Sequence, residues 1–182
     1  MSLRPPETFR HCPMCGKQPA KVGGNPFRCK SCGFVFYFGP AVAVGGILTD
    51  AEGRILLIRR ARDPGAGKYG LPGGFVDEGE TGEEAVIREI KEEVGLTATV
   101  SSYLCSFENL YDHNEIIAPI LDIYYLCQTE SFDDLALAPD EVSEFEFAIP
   151  TKAHLDNMAF PANRRALETY TQRRALNPAI NS

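Results

Sequence analysis

The sequence predicts an α/β protein, a sheet covered by helices, behind a small cysteine-rich module. Three observations carry that expectation. Strand-like apolar runs outnumber helical ones between residues 41 and 150. One segment, 81–95, has the periodicity and end signals of an amphipathic helix. Ahead of them lie two Cys-x-x-Cys-Gly motifs, Cys12–Gly16 and Cys29–Gly33.

The amino-terminal residues MSLRPPETFR lack the apolar core of a secretory signal, so the expected compartment is the cytoplasm. No apolar run is long enough to span a bilayer, which excludes a helical membrane protein. Apolar residues make up 44% of the 182 and charged residues 24%, which is ordinary for a globular protein.

Tetrahedral zinc takes four soft ligands, and Cys12, Cys15, Cys29 and Cys32 supply two pairs. A segment this short cannot bury a sufficient core, so metal binding would provide much of its folding energy. Disulfides or redox thiols are the alternative, disfavoured in a reducing compartment. Four cysteines close the coordination sphere, so the reading is a structural Zn²⁺ in a module covering residues 1–38. That module holds Arg4, Arg10, Lys17, Lys21, Arg28 and Lys30 against Glu7 alone, a net of +5 within a chain of −7. The remaining −12 argues against nucleic acid as a general partner. Cys105 and Cys127 sit in apolar strand-like stretches and read as buried, inert thiols.

Residues 39–182 form the main domain. AVAVGGIL, 41–48, reads as a buried strand, Asp50–Gly53 as a turn and RILLIRR, 54–60, as the returning strand. A Gly/Pro-rich loop, 61–74, follows. Thr81 with Glu84 looks like a capping box, and Gly95 suits the position just past the helix end. Val86, Ile87, Ile90 and Val94 make its packing stripe. Strand patterns return over 97–111, 116–128 and 145–150, and Pro161 opens a last helix. The tail after Asn177 is expected to fray.

Glu89, Glu92 and Glu93 stand at i, i+3 and i+4 and crowd onto one helix face. Like charges at that spacing destabilise an isolated helix, and a cation between them reverses the sign. Hard oxygen ligands presented this way suit Mg²⁺ or Mn²⁺.

The full spacing resembles the Nudix box. Gly74, then five residues, Glu80, then seven, then Arg88-Glu89-Ile90-Lys91-Glu92-Glu93-Val94-Gly95-Leu96 matches it without a gap. The resemblance implies an α/β/α sandwich with a mixed sheet and metal-dependent hydrolysis of nucleoside diphosphates linked to another moiety. It implies Glu89, Glu92, Glu93 and the carbonyl of Gly73 as Mg²⁺ or Mn²⁺ ligands, with Arg88 braced against Glu80. A further carboxylate, as metal ligand or general base, is expected from the acidic loop after the box. Glu141 is favoured there over Glu144, and Glu93 or Glu89 are the other candidates for the base. Arg60, Arg62 and Lys68 (with Arg59) are the candidate phosphate contacts. Tyr103, Phe107 and Tyr111 could stack on a base, although core packing is the expected fate.

A four-cysteine ribbon before such a domain resembles the NADH and FAD pyrophosphatases, and Leu71–Asp77 resembles ADP-ribose pyrophosphatases. The NADH group's Ser-Gln-Pro-Trp motif has no counterpart: Ser106–Leu110 reads SFENL, and the chain has no tryptophan. The expected partner is a small nucleotide, ranked ADP-ribose, then FAD or NADH, then a nucleotide sugar. Relatives are often dimers, so a homodimer is implied. The other class of reading is a catalytically weak ligand sensor, with the ribbon as a partner-binding module.

Overall fold

The structure, a computed structural model, describes residues 2–113 and 115–177, and only the backbone of His113. The tail expected to fray lies outside the described residues. The chain divides into two compact units, Met1–Ala41 with Asn109–Ile120, and Val42–Glu108 with Leu121–Ser182.

In the first unit a short helix, α1 (Pro5–Thr8), starts on two prolines and is closed by the Glu7 carboxylate accepting from the Arg4 amide at 2.7 Å. Two short antiparallel strands follow, β1 (Phe27–Arg28) and β2 (Val35–Phe36). Cys12, Phe27 and Cys29 are buried together, with Phe9, Phe34 and Phe38 packed against them. Phe34 and Phe38 thus serve the module's own core, while Phe36 between them is exposed. Phe9 meets Phe38 edge-on at 4.7 Å, and Phe36 meets Phe38 at 4.9 Å.

The second unit is the sandwich. Its strands are β3 (Ala41–Leu48), β4 (Ile55–Arg60), β5 (Tyr69–Gly70), β6 (Ala98–His113), β7 (Ile116–Thr129) and β8 (Val142–Ala148). They form two three-stranded sheets, ordered β3-β7-β6 and β5-β4-β8. The distal ends of β6 and β7 belong to the first unit. Helices are α2 (Gly82–Val94), α3 (Lys152–Asp156) and α4 (Pro161–Leu176).

Period-two alternation builds two cores. Ile47, Ile55, Leu57, Tyr124 and Leu126 point to one face and pack with Ala162, Ala166, Leu167 and Tyr170 of α4. Val44, Leu48, Leu56, Ile58, Tyr125 and Cys127 point to the other and pack with Val86, Ile90 and Val94 of α2. Burying each such aliphatic side chain contributes about 1.5–3 kcal/mol. Gly45 and Gly46 in mid-β3 leave one gap on each face. A Cβ at Gly46 would come within 2.8 Å of Ile90, and one at Gly45 within 2.8 Å of the Tyr124 ring. This close approach seats α2 against the sheet.

Two differences from the sequence reading have physical causes. β5 is only two residues long and falls inside the loop expected over 61–74, held by Ile58, Arg59 and the backbone of Asn157 and Ala159. β8 begins at Val142 rather than 145, because polar Ser143 and Glu144 lie on a solvated strand paired to Arg59 and Arg60. Among the described residues no helix is long and apolar enough to cross a membrane.

Candidate active site

The site begins at the loop between β5 and α2, which runs along β3. Val44 and Gly46 donate to the carbonyls of Gly74 and Pro72, both at 2.8 Å. Among the described residues the carbonyl of Gly73, between them, takes no hydrogen bond. Gly73 has φ +153°, and a Cβ there would run into the Val44 carbonyl. A Cβ on Gly74 would run into the Glu89 carboxylate. The double glycine therefore lets this loop lie against both β3 and α2.

α2 is positioned by its ends. Thr81 accepts from Glu84 N at 3.2 Å while the Glu84 carboxylate takes the Thr81 amide at 2.8 Å. Gly95, at φ +73°, closes the other end onto Lys91 O. Between them Arg88 uses every donor it has. Its Nε and Nη2 grip Glu80 at 2.7 and 2.9 Å, and Nη2 also reaches Phe75 O at 3.0 Å. Nη1 donates to Glu89 Oε1 at 2.8 Å and Glu92 Oε2 at 3.1 Å. Arg88, aided by the Asp77 amide, holds the Glu80 carboxyl down at about 2. Glu80 and Glu89 raise Arg88 in turn.

The three box carboxylates differ in setting. Glu92 is exposed and Glu89 half-buried, while Glu93 is only 4% exposed. Glu93 Oε2 accepts from Gly73 N at 2.9 Å. Burial pushes Glu93 up to about 8, against the pull of that amide, and the charges of Glu89 and Glu141 push the same way. Burial also raises Glu89. One oxygen of each, Glu89 Oε2, Glu92 Oε1 and Glu93 Oε1, has no hydrogen bond to the described residues. With the Gly73 carbonyl this donor set is all oxygen, which fits a hard divalent cation. The carboxylates are not gathered as tightly as the sulfurs are: only the four cysteines, among the described residues, bring three or more ligand atoms within 4.8 Å of one another.

Glu141, just before β8, is near enough for its charge to act on Glu89 and Glu93. Its carboxylate meets Arg62 at 2.7 Å. Glu144 instead pairs with Arg59 at 3.2 Å and is exposed. Arg60 donates from Nε to Pro64 O at 2.8 Å, lies over the Phe160 ring, and lowers Glu93 by its charge. Lys68 is exposed and makes only backbone contacts among the described residues. Phe107 is packed on the core beneath Arg165, while Tyr103 is 54% exposed and edge-on to Tyr125. Tyr111 belongs to the first unit.

In that first unit, Cys12 and Cys32 sulfurs are 3.7 Å apart, as are those of Cys15 and Cys29. Four thiolates at about 2.3 Å around a tetrahedral zinc stand about 3.8 Å apart, so the cluster fits that ion. Gly16 and Gly33, both with positive φ, turn each knuckle back so that their amides reach Cys12 O and Cys29 O. Cys105 and Cys127 are buried, and burial pushes the Cys127 thiol up to about 12.

Residues 39–170 match the model of the NUDIX domain family, well over half of the chain. The chain belongs to the Nudix family. An ADP-ribose pyrophosphatase of Methanocaldococcus jannaschii is 57% identical over 68 residues, 37% of this chain and 40% of that protein. The NAD-capped RNA hydrolase NudC of Stutzerimonas stutzeri is 27% identical over 175 residues, 93% of this chain and 58% of that protein. The Nudix chain thus spans 58% or less of the length of either relative. The crystal structure of a NUDIX hydrolase from Nitrosomonas europaea has a TM-score of 0.68 at 23% identity, covering 92% of this chain and 93% of that one. That likeness shows the Nudix fold.

Among the contacts that sequence reasoning on the Nudix box missed are the Phe75 carbonyl on Arg88, the Asp77 amide on Glu80 and the Glu141–Arg62 pair. The first two are backbone contacts and leave no mark in residue type. The third joins residues 79 positions apart, which no local pattern signals.

Proposed function

We propose that the protein is a metal-dependent hydrolase that cleaves the pyrophosphate linkage of a nucleoside diphosphate derivative, with ADP-ribose the first candidate. The observation that carries this reading is the carboxylate face of α2, where three glutamates each keep one oxygen without a hydrogen bond to the described residues, near a Gly73 carbonyl that likewise takes none among them. Glu89, Glu92, Glu93 and the Gly73 carbonyl would hold Mg²⁺ or Mn²⁺. Such ions, when bound, neutralise phosphate charge and lower the pKa of a coordinated water.

The chain's own residues do the rest. Arg88, held by Glu80, donates to one oxygen each of Glu89 and Glu92 and so fixes their carboxylates. The Gly73 amide does the same for Glu93. Glu141, paired with Arg62 rather than buried in the box, is the group suited to accept a proton from the attacking water. Arg60 and Arg62 supply cationic contacts for the phosphates. Lys68, solvated, contributes only long-range attraction.

The ribbon, residues 1–38 before a hydrolase domain of 39–182, would hold one structural Zn²⁺ on Cys12, Cys15, Cys29 and Cys32. The substrate order is supported by the 57% identity over 68 residues to the Methanocaldococcus jannaschii ADP-ribose pyrophosphatase. The relative named for NAD-capped RNA covers nearly the whole chain, ribbon included, and keeps the NAD-type diphosphate second.

The test is turnover of ADP-ribose, FAD, NADH and NAD-capped RNA with Mg²⁺, with products identified by mass. Paired phosphorylated products from wild type, and loss of at least about a hundredfold in Glu93→Gln, are expected. Binding of ADP-ribose without turnover would favour the sensor reading.

A further inference from the structure

We propose that Asn163 is a substrate-binding residue, its side-chain amide donating to a phosphoryl oxygen of the diphosphate beside Arg60. The inference rests on the pyrophosphohydrolase reading above and adds a residue that no box motif contains.

Asn163 lies in the first turn of α4 and is half-buried. Its Oδ1 accepts the Tyr124 hydroxyl at 2.6 Å. Tyr124 is itself buried, and burial together with the Asp122 charge raises it, so its hydroxyl stays a donor. With the oxygen committed to Tyr124, the amide nitrogen remains available to donate elsewhere. Among the described residues it has no acceptor.

The space beside it is defined by Gly70. A methyl group there would lie 3.7 Å from Asn163 Nδ2, 3.9 Å from Arg60 Cγ and 3.6 Å from Ile58 Cγ1. The amide and the Arg60 side chain therefore border one small space. Arg60 spends only Nε on the protein, on Pro64 O, so its terminal nitrogens have no acceptor among the described residues either. The space also adjoins the box. Gly70 leads directly into Leu71-Pro72-Gly73, and the Arg60 charge acts on Glu93. From the other side Tyr124 packs on Gly45, whose Cα would be 2.8 Å from a Cβ on Gly73.

Two side chains that carry donors without acceptors among the described residues, one of them cationic, border the gap at Gly70. That combination suits an anionic oxygen and disfavours an apolar group or a cation. Asparagine fits better than aspartate because a carboxylate here would repel the phosphate. Tyr124 acts through the amide and is a positioning residue.

The experiment uses the full chain with ADP-ribose and Mg²⁺ and compares wild type with Asn163→Leu, Gly70→Ala, Tyr124→Phe and the Tyr124→Phe/Asn163→Leu pair. Asn163→Leu should raise KM at least about tenfold with kcat within about threefold, the signature of lost binding that is equal in ground and transition states. Gly70→Ala, which sets a methyl against Asn163 Nδ2 and the Arg60 stem while keeping both donors, should raise KM as well. Tyr124→Phe should raise KM alone and add nothing in the Asn163→Leu background. An unchanged KM in well-folded Asn163→Leu, or full additivity of the pair, overturns the assignment. Should Asn163→Leu not fold, an unchanged KM in Gly70→Ala overturns it. Calorimetric titration of ADP-ribose into Glu93→Gln, with and without Asn163→Leu, separates this inference from the reaction. Weaker binding with Asn163→Leu, while wild type turns over nothing, upholds the site and sinks the hydrolase reading. Turnover by wild type with binding unaffected by Asn163→Leu does the reverse.

Discussion

The Glu93 carboxylate accepts a hydrogen bond from the backbone amide of Gly73 at 2.9 Å, so the buried acid of the box is fixed by the loop that precedes it. That contact depends on glycine. A Cβ at position 73 would overlap the Val44 carbonyl, and φ is +153°. Gly73→Ala must move the loop, removing both the amide from Glu93 and the free carbonyl from the carboxylate face. Turnover should fall by about two orders of magnitude, with far-ultraviolet circular dichroism unchanged. Activity within a few-fold of wild type would count against this role for the loop.

Glu93 also sets a pH dependence for the metal-free protein. Its folded value is pushed up to about 8 from an ordinary 4.5, mainly by burial. Between those values the folded state keeps a proton that the unfolded chain has released. Stability should therefore fall as pH rises through this window, by at most about 1.4 kcal/mol per unit. Urea denaturation in chelator at pH 5.5, 6.5 and 7.5 reads this directly. The fall should be much reduced in Glu93→Gln, and an equal slope in both proteins would assign it elsewhere.

The Arg88–Glu80 clamp has the opposite sign. Arg88 holds Glu80 at about 2, below its ordinary 4.5. The clamp's contribution is present above pH 4.5 and is lost as pH falls towards 2. Glu80→Gln should lower the melting temperature at pH 7, and the gap to wild type should close on acidification. Arg88→Met should be worse, because it also strips Glu89 and Glu92 of a donor. A gap that widens towards pH 3 would contradict the clamp.

What the sequence made legible follows from how local each feature is. Thr81, Glu84 and Gly95 close α2 through contacts within a turn, so residue type alone exposes them. The same holds for the cysteine pairs, where each knuckle is a four-residue unit repeated once. β3 and β4 were readable from apolar runs because their central residues are buried on both faces. Tyr69–Gly70 was not, since a two-residue strand exists only through distant partners. The meeting of Arg62, a candidate phosphate contact, with Glu141 joins residues far apart in the chain and leaves no local pattern. Asn163 carries no motif, and its significance rests on Tyr124 and Gly70, both remote in sequence.

The ribbon gives a prediction independent of catalysis. Its core is three buried residues, two of them cysteines, ringed by phenylalanines. That is too little to hold a fold without the metal. Elemental analysis should find about one zinc per chain. Stripping it with a strong chelator, or Cys29→Ser, should abolish the near-ultraviolet phenylalanine signal from Phe9, Phe27 and Phe38. Persistence of that signal in zinc-free protein would show a ribbon that folds on its aromatics alone.

The loop before β8 offers two acids, and the structure separates them. Glu141 acts on both Glu89 and Glu93 through its charge, while Glu144 is exposed and tied to Arg59. The first is therefore the acid whose charge is felt at the box carboxylates. Glu141→Gln removes a proton acceptor while keeping side-chain volume, and should cut kcat by about a hundredfold or more with KM little changed. Glu144→Gln should stay within about threefold of wild type. Arg62→Met gives the third arm. It frees Glu141 from its ion pair, so it should raise KM through a lost phosphate contact and leave the fold intact. Glu144→Gln proving the more damaging change would move the proton-accepting role to that residue, and equal, small effects from both glutamates would leave it with Glu89 or Glu93 in the box itself.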